Sequence, residues 1–262
     1  IFLSHARKRH GGSTLRFRPS LQPIDEYLEW LKRLTWHYDE PIQFQNSPLL
    51  GGLCHHARRL GIKVLFSGEG MDEVLHGYAR FERTMGLLAD VDDRETILSN
   101  LYFGGGIQHV DLIKQLTKNV ADGPEETESW RWLETHLDHP LERLQLIHSQ
   151  KYRLQTLLQR QDRIGMAESI EIRVPFVAPR FLSWANGLPT RAKFNAVTGE
   201  TKVLLRKIMR ERLPQRILTK AKDGFPADMG VWLRKDRMRK HVTDLVSDSN
   251  GFCQSYLDGK LA

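Results

Sequence analysis

Three carboxylates, Glu69, Asp72 and Glu73, fall within five residues of the stretch Ser67-Gly68-Glu69-Gly70-Met71-Asp72-Glu73. Like charges packed this closely repel one another. The arrangement is costly unless a divalent cation or a transferable proton sits among them. Glu69 has a glycine on either side, so its carboxylate projects from a turn rather than a packed face, which suits a role at a site. Ser67, Gly68 and Gly70 allow close backbone approach, and the amides entering a following helix form a cradle for an anion. On residue types alone, such a stretch reads more readily as an ordinary loop with solvated acids.

The elements around the turn decide between these readings. A short apolar run ending at Phe66 leads into it, and a helix is expected from Met71. In parallel α/β sheets such a strand-to-helix turn lies at the carboxyl edge, where ligands bind. Upstream, Ser20 caps a helix whose apolar positions Ile24, Leu28, Leu31 and Leu34 recur at helical spacing, with Pro23 tolerated in the first turn. Tyr38-Asp39-Glu40-Pro41 ends it, because a residue before proline is driven out of helical geometry. A second helix, about Pro48 to Leu60, stops at Gly61 and feeds a strand from Ile62 to Phe66. This is one and a half βα units, a piece of a parallel sheet. From Met71 to about Arg160 the pattern is helical, broken at Asp122-Gly123-Pro124. Leu141, Leu144, Ile147, Leu154, Leu157 and Leu158 form one apolar stripe there. The fold class expected is α/β, a partial parallel sheet followed by a mostly helical region.

Other chemistry-bearing residues are weaker signals. Glu171 and Arg173 alternate with Ile170, Ile172 and Val174, which suggests a structural ion pair in a half-buried extended segment. Asp162 and Arg163 are expected to serve similarly. His136 and His139 have HxxH spacing but precede Pro140 with no carboxylate nearby, so a surface turn is favoured over zinc. Cys54 and Cys253 are the only cysteines and fit no metal spacing, which argues for a reducing compartment and against a disulfide scaffold. The net charge of +7 comes from scattered residues. Its densest cluster, Lys235, Arg237, Arg239 and Lys240, reads as a solvated helix face, and no aromatics interleave with it to make a nucleic-acid platform. No apolar run approaches the ~20 residues of a membrane span.

The turn continues as Val74-Leu75-His76-Gly77-Tyr78, and the whole string resembles the SGEGxDExxxGY signature of asparagine synthetases. Asp162-Arg163-Ile164-Gly165-Met166-Ala167-Glu168-Ser169-Ile170-Glu171-Ile172-Arg173-Val174-Pro175-Phe176 is similar to the same family's DRxxMAxSxExRxPF block. Thr201-Lys202 with Leu205-Arg206, then Leu213-Pro214, Lys222 and Gly224-Phe225, resemble its TKxxLR, LP and KxGF elements, in order. The likeness covers roughly residues 20 to 235.

The resemblance implies a sheet of the adenine nucleotide alpha-hydrolase (ATP pyrophosphatase) type, within a synthetase domain over residues 1–262. It implies a cytoplasmic carbon-nitrogen ligase of the glutamine-hydrolysing asparagine synthase type, using ATP and Mg2+. In the family the residue matching Glu69 handles protons during amide formation, and the one matching Lys222 faces the phosphates. Asp72 inherits the magnesium role, and Ser67, Gly68 and Gly70 the nucleotide contact. Glu73 matches too, although capping the helix N-terminus would explain it as well; Tyr78 is expected mainly to pack. The implied partners are aspartate or another carboxylic acid and glutamine-derived ammonia. A glutaminase domain or subunit would supply the ammonia, and a homodimer is one assembly the likeness allows.

The chain also departs from the pattern. The family's SGGxDS pyrophosphate loop is not found: neither Gly11-Gly12-Ser13 nor Gly104-Gly105-Gly106 follows a strand-like run. The chain is therefore expected to begin inside the synthetase domain and to be inactive alone. His76 stands where the family commonly has glycine, and Val177-Ala178 where Leu-Asp is usual. Other enzymes of the same scaffold, closing a lactam or macrolactam or amidating a cell-envelope sugar or peptide, remain alternatives. So does a non-catalytic binding subunit.

Overall fold

The computed structural model describes residues 24–103, 127–195, 197–219, 229–248 and 250–251. Its helices in chain order are α1 (Ile24–Tyr38), α2 (Ser47–Arg59), α3 (Met71–Val74), α4 (Ala79–Leu87), α5 (Arg94–Phe103), α6 (Glu128–Thr135) and α7 (Leu141–His148). There follow α8 (Leu154–Ala167), α9 (Pro179–Gly187), α10 (Thr190–Lys193), α11 (Val203–Met209), α12 (Gln215–Leu218), α13 (Met229–Leu233) and α14 (Asp236–Ser247). The strands are β1 (Val64–Phe66), β2 (Glu171–Arg173), β3 (Phe194–Asn195) and β4 (Glu200–Thr201). The chain is thus mixed α/β and mostly helical. Lys222, the two glycine runs and Asp122-Gly123-Pro124 lie outside the described residues.

Two compact units divide the chain. One comprises residues 1–67, 158–175 and 204–229, the other residues 68–157, 176–203 and 230–262.

In the first unit, α1 buries Tyr27, Trp30, Leu34 and Tyr38, one stripe at helical spacing. Asp25 and Glu26 in its first turn and His37 in its last complement the helix dipole. It stops at Asp39, whose φ of 55° is left-handed, two residues before Pro41. Helix α2 carries a proline in its first turn and lies close against α1 at Gly51, where a Cβ would come within 2.7 Å of Trp30 Cε3. Gly61, at φ 77°, turns the chain into β1.

β1 pairs in parallel with β2, in the register Val64 with Glu171, Leu65 with Ile172 and Phe66 with Arg173. The strand is shorter than its apolar run: Ile62 packs on the core without joining the sheet. At the other strand, Gly165 in α8 is forced, since a Cβ there would stand 2.6 Å from the Ile170 carbonyl oxygen. Trp30, Leu34, Tyr38, Cys54, Ala57, Ile164 and Ile170 form the core, with Leu65 and Ile172 packed on it.

Glu168, in the turn from α8 to β2, has a side chain only 1% exposed. It is ion-paired with Arg33, with His55 Nδ1 at 3.0 Å and, more distantly, with Arg58 at 3.9 Å. One buried carboxylate therefore fastens α1 and α2 to the turn that launches β2. The three bases are themselves 43–52% exposed and regain water when the acid is removed. Glu168→Ala is expected to cost about 1–3 kcal/mol, read as a lower denaturant midpoint with an unchanged slope.

In the second unit, Leu88, Leu98, Leu101, Trp130, Leu133 and Leu144 make the core, drawn from the segments α4 to α7. Between α7 and α8 the helix widens into a π turn over Ser149–Arg153. Such turns rotate side chains out of the ordinary helical register and recur at functional sites. Helix α14 keeps Lys235, Arg237, Arg239 and Lys240 in or beside it on exposed positions, with Met238 buried beneath. No helix among the described residues is long and apolar enough to cross a membrane.

Candidate active site

The acid-rich turn begins where β1 ends. Ser67 donates its backbone N–H to the Arg173 carbonyl at 2.8 Å, extending the parallel pairing by one rung. The Met71 N–H closes on the Gly68 carbonyl at 3.4 Å. The Ser67 amide is therefore engaged in the sheet, and that of Met71, which enters the helix, in the turn. Gly68 is exposed, and a side chain there would meet nothing within 4 Å. Gly70 is required: its φ is 87°, and a Cβ would run into the Val177 side chain. The departure at Val177 from the family pattern thus sits directly on the turn.

Each acid has its own surroundings, and this resolves the repulsion expected among them. Glu69 is half-buried at the tip of the turn. Asp72 is 12% exposed at its side chain, and its Oδ1 lies 2.6 Å from Lys202 Nζ. Glu73 is fully buried, accepts a hydrogen bond from the Tyr78 hydroxyl, and has Arg153 Nε 3.9 Å from its Oε1. Gln150 donates to the Glu73 carbonyl at 3.2 Å and exchanges two 2.9 Å amide bonds with Asn186 on α9. Glu73 lies in the first turn of α3 and is bound from outside the helix as well. It is the buried tie between α3 and the π turn, which aims both Gln150 and Arg153 at it.

Burial holds the Glu73 carboxyl above its ordinary range, and the neighbouring Asp72 and Glu69 charges push the same way. The Tyr78 hydroxyl is raised as well, by burial and then by Glu73, and its ring lies 5.3 Å beneath the Arg153 guanidinium. Tyr78, expected mainly to pack, is a hydrogen-bond donor in this cluster.

Lys202 is the residue whose role sequence pattern does not reveal. The β3–β4 hairpin delivers it: Asn195 Oδ1 accepts from the amides of Val197 at 3.0 Å and Thr198 at 3.2 Å, and Gly199 turns at φ 69°. Lys202 follows β4 in a left-handed conformation, φ 55°. Gly77 makes room for the pair, because a Cβ there would collide with Asp72 Oδ1 and Lys202 Cε. The glycine of the family-like string is thus explained by an ion pair.

Of the residues singled out from sequence, Gly68, Glu69, Gly70 and Asp72 fall together in the second unit, and Ser67 closes the first. Lys222 lies outside the described residues. Arg206 of the TKxxLR-like element donates to the Leu218 carbonyl, a structural bond within the first unit.

The Glu171–Arg173 pair forms at 2.9 Å, but its side chains are 57% and 56% exposed, not half-buried as their alternation suggests. Among the described residues only β1 stands beside β2, which buries Ile172 incompletely and leaves the alternate positions in water. Glu171→Ala is accordingly expected to leave the unfolding temperature unchanged in a thermal melt, because solvent screens such a pair.

A family model described as "Asparagine synthase" matches residues 22–261. Among curated relatives, a "Putative asparagine synthetase [glutamine-hydrolyzing]" of Mycobacterium tuberculosis (strain ATCC 25618 / H37Rv) is 29% identical, over 86% of this chain and 39% of its own length. "Asparagine synthetase [glutamine-hydrolyzing] 1" of Bacillus subtilis (strain 168) is 26% identical, over 86% of this chain and 40% of its own. The chain thus spans about two fifths of the length of these relatives. The four ordered motifs and the family match agree over nearly the whole chain: it belongs to the asparagine synthase family.

Proposed function

We propose that this chain is synthetase-domain machinery of an ATP-dependent amide-forming ligase. The observation that supports this best is the separation of three adjacent acids into three tasks. Glu73 is locked into the scaffold, Asp72 faces a cation, and Glu69 stands at the turn. In the reaction a carboxylate oxygen of the acceptor attacks the α-phosphorus of ATP and pyrophosphate leaves. Ammonia then attacks the acyl carbon, and AMP departs with the carboxylate oxygen. Glu69 takes the proton released by the attacking nitrogen. Lys222 is assigned to the charge that builds on pyrophosphate.

Asp72 fits a magnesium site. Its carboxylate oxygen already faces a cation position, occupied by the Lys202 ammonium. No cage of three or more His, Cys, Asp or Glu side chains stands among the described residues, so nucleotide phosphates and water would supply the other ligands, as is usual for Mg2+. When bound, the metal would neutralise phosphate charge against the incoming carboxylate. Asp72→Asn in the full-length protein is expected to raise the Mg2+ concentration for half-maximal pyrophosphate release about tenfold. An unchanged magnesium titration removes Asp72 from the metal site.

The β1–β2 pair is assigned to a sheet of the ATP pyrophosphatase type, and Ser67, Gly68 and Gly70 to nucleotide contact. Aspartate is the default acceptor, with another carboxylic acid on the same scaffold as the alternative. Glutamine, through a glutaminase domain or subunit, is the default nitrogen source, and the cytoplasm the assigned compartment. Release of one pyrophosphate per site in a single turnover, with Mg-ATP and aspartate, tests the reading; hydrolysis of ATP to ADP and phosphate overturns it.

A further inference from the structure

A second cluster in the same unit joins the acid-rich turn through His76. This residue is 2% exposed and holds φ at 50°, a left-handed conformation that disfavours any side chain. Its ring sits between two phenylalanines, edge-on to Phe81 at 5.0 Å and stacked on Phe194 at 6.2 Å. Its Nε2 is buried and has no hydrogen-bond partner. Burial, and then the charge of Lys193, lower its pKa to about 4, so the ring is neutral near pH 7 and one of its nitrogens carries a donor hydrogen.

Lys193 ends α10 immediately before Phe194, the residue stacked on that ring. It is 3% exposed, and no carboxylate or other acceptor contacts its ammonium among the described residues. Arg143 is its charged neighbour, and burial followed by this like charge lowers its pKa. A buried ammonium near a second cation is costly unless an anion joins them. A buried imidazole nitrogen without a partner adds a second cost at the same place. An oxyanion would relieve both, accepting from Lys193 and from His76.

We propose that Lys193 and His76 form a binding site for an oxyanion, a carboxylate or a phosphate group, with Arg143 adding longer-range attraction. The phenylalanines wall the histidine side, which favours a small, compact ligand. Gly77, next to His76, abuts the Asp72–Lys202 pair, so the site adjoins the acid-rich turn. Residue 76 then has a positive reason to be histidine: it brings a donor to a position where the backbone would otherwise take glycine. The site does not depend on the ATP chemistry assigned to that turn.

The test is thermal unfolding and calorimetric titration of the full-length protein without nucleotide. L-Aspartate and inorganic phosphate are compared with chloride at matched ionic strength. The expected result is a rise in unfolding temperature with aspartate, phosphate or both, and none with chloride. A response to aspartate alone identifies a carboxylic acid ligand, and one to phosphate alone a phosphoryl group. Lys193→Met should unfold no lower than the wild type in chloride, having lost a buried charge, and should need at least about tenfold more anion for half-saturation. His76→Gly should also weaken anion binding while the fold is retained. Because nucleotide is omitted, a failed adenylylation assay would leave this result standing. A wild type indifferent to both anions, or Lys193→Met that binds them unchanged, overturns the proposal.

Discussion

Glu69→Gln in the full-length enzyme is expected to abolish amide formation while leaving nucleotide affinity within a few-fold. The amide has the shape of the acid but cannot accept a proton, so only the step that consumes base is lost. The turn makes this a clean test. Gly70 holds its left-handed conformation against Val177 whatever stands at position 69, and Asp72 and Glu73 are held by Lys202 and by Tyr78 with Arg153. Single-turnover traces should show a normal pyrophosphate burst with no amide product. Equal loss of nucleotide affinity and turnover would make Glu69 a phosphate or metal determinant.

Lys222→Ala is expected to act one step earlier. Removing the cation proposed to face the developing negative charge should slow adenylylation by roughly two orders of magnitude or more. The first-turnover pyrophosphate burst is the quantity to follow. A normal burst followed by slow amidation would move Lys222 away from the leaving group. The two variants together separate activation of the carboxylate from its capture by ammonia.

Much of this frame is legible in the sequence because it rests on local pattern. The helical period of α1, the proline and glycine that bound α2, and the apolar run of β1 are properties of neighbouring residues. So is the acid-rich turn. The buried face of α1 differs, however: it holds Tyr27, Trp30 and Tyr38 with Leu34 rather than the expected Ile24, Leu28 and Leu31. What escapes is pairing over distance. Nothing in the spacing of Asp72 announces Lys202, because the hairpin that carries the lysine is positioned by tertiary packing. Nothing in Ser149–Arg153 marks a π turn, so Arg153 and Gln150 show no periodic relation to Glu73. The exposure of Glu171 and Arg173 follows from how much sheet stands beside β2, which alternation cannot encode. Glu168, two positions before an alternating segment, is buried where three bases from α1 and α2 converge on it. Gly77 is the instructive case: its place in the string is visible, and its reason appears only when two side chains meet beside it.

In the proposed reaction the acceptor carboxylate is activated by adenylylation. This activation is tested most directly with aspartate carrying oxygen-18 in its side-chain carboxylate, given to the full-length enzyme with Mg-ATP and a nitrogen donor. Attack of that carboxylate on the α-phosphorus transfers one of its oxygens, and loss of AMP on amide formation leaves the label behind. One oxygen-18 atom is expected in the phosphate of AMP for each asparagine formed. Label in inorganic phosphate would show activation at the γ-phosphorus and contradict the proposal.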